Sequence, residues 1–149
     1  ALLAAGVFAL LLGGYLLLSP WLDLSAIPEN LAAKEGITQE TFPLAAAYIT
    51  LGNSLLEEFF FRGFAFLTLY RLGYGKLAYG CSALAFALYH VSITSAWGAP
   101  GLIALMAAGL AAAGLLFNWL DRDGSLFPSW LVHMGANLGT NAVGFLLFL

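Results

Sequence analysis

Apolar positions in this chain gather into long runs divided by short polar punctuation, with neither the strict alternation of strands nor the one-sided stripe of soluble helices. The first run covers Ala1 to about Ser19 and is stopped by Pro20. The segment that follows, Trp21 to Thr41, holds Asp23, Glu29, Glu35 and Glu40, and within it Pro28 to Lys34 followed by Gly36 predicts a short capped surface helix. A second run, about Thr41 to Tyr70, is longer than a perpendicular crossing requires and should tilt or protrude. The turn Arg71-Leu72-Gly73-Tyr74-Gly75-Lys76 leads into a third run ending near His90 to Ser92, and Trp97-Gly98-Ala99-Pro100 punctuates before a fourth, about Gly101 to Leu120. Asp121-Arg122-Asp123-Gly124 is the last polar turn, and Phe127 to Leu149 makes the fifth run. Since a bilayer crossing takes about 20 apolar residues, the pattern predicts an all-α, polytopic transmembrane helical bundle of about five spans in a single membrane-embedded domain over 1–149. The chain opens at Ala1 without a methionine, which is compatible with further helices ahead of it.

Composition agrees with this pattern. A mean hydropathy of +0.91, with 62% hydrophobic and only 9% charged residues, excludes an ordinary soluble domain and makes membrane lipids the expected surroundings. The net charge of −3 and five scattered Lys and Arg residues form no basic patch, so nucleic acid is not an expected partner. The single cysteine, Cys81, cannot form an internal disulfide and reads as a small buried hydrophobe. The segment from Ala1 to Leu18 lacks the basic flank and cleavage pattern of a signal peptide and reads as a membrane helix. Arg71, Lys76 and Arg122 lie in the two turns that alternate crossings place on one side, which should be the cytoplasmic one. The fourth run, with Ala104, Ala108, Gly109, Ala112, Ala113 and Gly114, reads as a close-packing helix.

Against this background the hexapeptide Glu57-Glu58-Phe59-Phe60-Phe61-Arg62 stands out, because ionisable groups at such depth cost several kcal/mol each unless paired and so tend to mark function. Ser54, Glu58 and Arg62 share one helical face, whereas Glu57 lies about 100° round with Asn53 and Phe61. Glu58 and Arg62, at i, i+4, are placed for an intrahelical ion pair, which leaves Glu57 to face something else. Both histidines, His90 and His133, lie in apolar runs, and Asn137 and Asn141 follow His133 along one face. Glu57 and His90 each stand fourteen residues from their flanking basic turn, at Arg71 and Lys76, which puts both about 21 Å along their helices. His133 and Asn137 sit somewhat lower, at about 9 to 15 Å, within reach of long side chains. Singly, an intramembrane His or Asn is often helix glue, the reading preferred for Ser54, Asn53 and Asn141; the convergence of the others points to a site.

A desolvated carboxylate is a competent general base, particularly when a histidine shares its proton, and Glu57 with His90 supplies such a pair. His133 and Asn137, one turn apart, can supply donors to a carbonyl oxygen that gains negative charge, so the set reads as peptide-bond hydrolysis by an activated water. No His-Glu-x-x-His motif and no intramembrane pair of aspartates is present. Gly80-Cys81-Ser82-Ala83 resembles the rhomboid nucleophile setting without its final glycine, and Ser82, two turns from His90, is too far to be activated by it.

Glu-Glu-x-x-x-Arg at Glu57, Glu58 and Arg62, Phe-x-x-x-His at Phe86 and His90, and His-x-x-x-Asn at His133 and Asn137, in that order on successive helices, resemble the CPBP family of intramembrane glutamic endopeptidases. This is the CaaX protease or Abi family, which includes the Ras-converting endopeptidase that trims prenylated CaaX proteins. The resemblance covers residues 57–137 and implies a protease without metal or other cofactor. In it, Glu57 and His90 activate water, His133 and Asn137 form the oxyanion hole, Glu58 and Arg62 brace the site, and the substrate is a membrane-associated peptide or protein. Two other readings use the same residues: a zinc-dependent protease with Glu57, Glu58, His90 and His133 as ligands, and a non-catalytic immunity or interaction protein.

Overall fold

The structure is a computed structural model and describes residues 1–95 and 99–148. In chain order the helices are α1 (Leu2–Leu18), α2 (Ala26–Glu35), α3 (Phe42–Tyr48), α4 (Ser54–Glu58), α5 (Leu67–Arg71), α6 (Gly75–Thr94), α7 (Pro100–Asp121) and α8 (Phe127–Leu147). A 3-10 turn at Ser19–Trp21 follows α1 where Pro20 removes a backbone donor, and no strand occurs among the described residues. The all-α expectation therefore holds. α2 extends the predicted surface helix by a residue or two at each end, and Gly36 closes it at φ 67°, a left-handed conformation that glycine adopts without strain. Trp97 and Gly98, part of the predicted break before the fourth run, lie outside the described residues; α7 itself starts on Pro100 after an extended Ala99.

The second predicted run is helical throughout, but with two wide-turn interruptions, π segments at Ile49–Asn53 and Phe59–Phe66. Each contains one glycine, Gly52 or Gly63, and the second begins directly after the Glu57-Glu58 pair. Such segments are rare and concentrate at functional sites.

The chain forms two compact units, one of residues 1–54 and 131–148, the other of residues 55–95 and 99–130. In the first, α8 packs through glycines. A Cβ on Gly135 would stand 2.4 Å from the Ala4 carbonyl oxygen and one on Gly139 3.1 Å from the Phe8 carbonyl oxygen, so only glycine allows α1 so close. Phe42 fills the adjoining space with its ring centroid 4.9 Å from that of Phe145 and 4.9 Å from that of Phe148.

In the second unit α6 and α7 are the main pair. Gly114 is their closest approach, where a Cβ would come within 2.9 Å of Ala83 Cα. The close-packing role read from the fourth run thus falls on Gly114, whereas Gly109 faces open space. Phe66, Leu67 and Ala78 form a buried apolar cluster, with Tyr70 and Tyr79 packed against it. The turns after α5 and α7 lie at one end of this unit, since Arg71 Nη2 reaches Gly124, and Gly73 and Gly124 take positive φ there. The two basic turns therefore share a side, as the charge pattern required. Cys81 departs from expectation: it is exposed on α6.

Among the described residues three helical spans are long and apolar enough to cross a membrane: Leu2–Trp21, Gly75–Thr94 and Pro100–Asp121. Of the other two predicted crossings, one is divided by the π segments, and α8 carries Ser129, His133, Asn137, Thr140 and Asn141.

In a Cys81→Ala background, a cysteine replacing Tyr74 should be labelled by a membrane-impermeant maleimide from the cytoplasmic side; labelling from outside would reverse the topology. Gly114→Ala should destabilise by about 1–3 kcal/mol, because Ala83 backbone must move. Gly109→Ala should leave the melting temperature in detergent unchanged or slightly raised, and equal losses for the two would contradict the packing.

Candidate active site

In the second unit the Glu-Glu-x-x-x-Arg motif ends α4 and enters the π segment, and its two acids meet different surroundings. Glu58 and Arg62 are fully buried, with Nε 3.3 Å from Oε2 and Nη1 3.4 Å from Oε1. This is the i, i+4 pairing read from the sequence. An ion pair sealed this deeply loses two hydration shells, and one carboxylate does not replace them. Three aromatic rings add a further attraction. The guanidinium carbon lies 4.1 Å from the Phe86 ring centroid, 4.8 Å from that of Phe117 and 5.9 Å from that of Phe61. Cation–π contacts in such desolvated settings contribute about 2 kcal/mol or more. Asp121 adds a longer-range attraction.

Glu57 points elsewhere, its Oε2 3.5 Å from His90 Nε2. His90 is half-buried and Glu57 buried, against complete burial of both Glu58 and Arg62. The other nitrogen of His90, Nδ1, lies 2.9 Å from the Phe86 carbonyl oxygen. A carbonyl only accepts, so Nδ1 carries the proton of that bond, and in the neutral ring Nε2 presents a lone pair to Glu57. Two groups that would otherwise both accept then face each other across 3.5 Å, an arrangement suited to sharing a proton.

Phe86 links the two pairs. Its carbonyl orients His90, its ring lies 4.3 Å from the His90 ring centroid, and the same ring supports the guanidinium. The first position of the Phe-x-x-x-His motif thus has a physical role in both pairs.

The sequence places His133 and Asn137 in the first unit, on α8. His133 is buried. Asn137 Nδ2 donates to the Ile49 carbonyl oxygen at 3.0 Å, an oxygen that also accepts the Ser54 N–H across the first π segment. That bond uses one of the two hydrogens on the amide nitrogen. Asn141 is helix glue, as expected, donating to Ala46 O at 3.2 Å and Thr50 Oγ1 at 3.0 Å. Ser54 likewise donates to Thr50 O at 2.5 Å.

Several residues that shape the second unit escaped the sequence reading. Phe117 walls the guanidinium, and Asn118, fully buried in the apolar fourth run, was the one polar signal there that pointed to a partner. Asp121, read as part of a polar turn, is fully buried at the end of α7; it accepts the Ser129 N–H at 3.2 Å and the Ser129 hydroxyl, and so caps the first turn of α8. Ser82, weighed as a nucleophile, is 1% exposed and hydrogen-bonded within its own unit.

Arg62→Ala strands Glu58 without a counter-charge and should lower stability by about 3–5 kcal/mol. Glu57→Ala, which strands no buried counter-charge of this kind, should cost clearly less; equal melting temperatures for the two would contradict the bracing role of Glu58 and Arg62.

Among known proteins, a family model described as type II CAAX prenyl endopeptidase Rce1-like matches residues 39–139, a stretch that contains all three motifs. No curated protein and no solved structure matches the chain. A match over more than half of the chain, on membrane-length helices, establishes that the protein belongs to the Rce1-like type II CAAX prenyl endopeptidase family of membrane endopeptidases.

Proposed function

We propose that this chain hydrolyses a peptide bond in a membrane-associated protein or peptide by a glutamic mechanism. The prenylated CaaX-type tail is the substrate form to which the family's description points. The observation that carries the reading is the Glu57–His90 pair itself, a carboxylate 3.5 Å from an imidazole that the Phe86 carbonyl orients, beside a separate Glu58–Arg62 ion pair. One pair holds the helix, and the other is left to exchange a proton.

In the proposed reaction a water donates to Glu57 Oε2 and His90 Nε2, and the pair takes one of its protons as the oxygen attacks the scissile carbonyl carbon. The carbonyl π pair moves onto oxygen, and donors from His133 and Asn137 stabilise that charge. Collapse re-forms the carbonyl and breaks the C–N bond, with the proton held by Glu57 and His90 passing to the leaving amine. Glu58 and Arg62 keep Glu57 in place without touching substrate. The protein itself needs no metal in this scheme. We further propose that all five apolar runs cross the bilayer, with Arg71, Lys76 and Arg122 on the cytoplasmic side.

Cleavage of candidate membrane-associated peptides, followed by mass spectrometry, should fall about 10²- to 10⁴-fold in Glu57→Gln with the melting temperature unchanged. Undiminished cleavage by the folded variant would defeat the assignment. Wild-type cleavage should survive exhaustive chelation, and its loss and recovery with added zinc would replace the glutamic mechanism by a metal-dependent one.

A further inference from the structure

The Phe59–Phe66 π segment separates Glu57 from the rest of its helix by a turn that ordinary sequences avoid. In such a turn a carbonyl bonds to the fifth residue onward, as the Leu67 N–H does to the Arg62 carbonyl oxygen. A side-chain donor on one of its carbonyls favours the wide turn by offsetting the poorer backbone geometry. That donor comes from α6: the Ser82 hydroxyl lies 2.8 Å from the Phe61 carbonyl oxygen and 3.1 Å from Asn118 Oδ1 of α7. Asn118 in turn donates Nδ2 to the Tyr79 carbonyl oxygen of α6 at 3.3 Å. Ser82 is 1% exposed and Asn118 fully buried, so neither bond is exchanged for water. A hydroxyl has one proton, which these two acceptors share, the Phe61 carbonyl being the nearer.

We propose that Ser82, held by Asn118, is a positioning residue for the Glu57–His90 pair. Phe61 is one helical turn from Glu57, and Ser82 is two turns from His90 along α6. The Ser82–Phe61 bond therefore pins the same two helices whose sliding would open the 3.5 Å Glu57–His90 gap. A displacement of about 1 Å in a reacting group costs up to about 10²-fold in rate. The consequence for turnover rests on the proposed peptidase activity; the geometric consequence does not.

The test uses this chain in detergent with ¹⁵N-labelled histidine. The chain has two histidines, and the His90 signals are identified by their loss in His90→Asn. Ser82→Ala removes a single buried oxygen and should move the His90 Nε2 resonance in the direction that Glu57→Gln moves it. Ser82→Thr, which keeps the hydroxyl, should restore the wild-type resonance. In the cleavage assay Ser82→Ala should lower kcat about 10- to 100-fold with KM changed less than about twofold, and Ser82→Thr should recover it. A His90 resonance in Ser82→Ala that matches the wild type overturns the inference, whatever happens to the melting temperature, and so does a failure of Ser82→Thr to restore it. If wild-type protein cleaves no peptide, the proposed activity fails while the resonance still decides the positioning role.

Discussion

A guanidinium with no access to water is the constraint around which the second unit is organised. Arg62 is fully buried, and a single carboxylate at 3.3 Å does not replace its hydration. Phe86 and Phe117 close on the faces of the guanidinium while Glu58 takes its edge, and Asp121 contributes field from the end of α7. Three helical segments are thereby committed to one charge. The aromatic residues of an apolar run act here as electrostatic partners as well as packing.

Sealing that pair has a consequence for its neighbour. Glu57 is adjacent to Glu58 in sequence and points away from it, which a helical turn guarantees, and so it meets His90 of α6. His90 is oriented from behind by the Phe86 carbonyl, so in the neutral ring the nitrogen facing Glu57 is the one that can take up a proton. Phe86 belongs to both arrangements, and a change there would disturb the brace and the base together.

Much of this was legible in the chain. The lengths and apolarity of the runs dictated membrane helices, i, i+4 spacing dictated the Glu58–Arg62 pair, and counting from the basic turns brought Glu57 and His90 to one depth. The basic turns on one side, the capped surface helix closed by Gly36 and the gluing role of Asn141 followed from equally local rules. Each depends on period, length or charge, quantities a sequence carries without knowledge of the neighbours.

What the sequence by itself determined, then, is which residues share a helix face and which groups cannot stay unpaired in a membrane. The tertiary structure decided what each face meets. Cys81 turned out exposed on α6, and Asp121 turned out buried, with Ser129 folded back onto it. Gly114 rather than Gly109 admits a helix, and the π segments form where glycine and side-chain donors from other helices meet their carbonyls. The physical reason is common to all of these. Backbone hydrogen bonds and helical period act within about a turn of the chain, whereas burial, caging of a cation and support of a strained turn depend on atoms dozens of residues away.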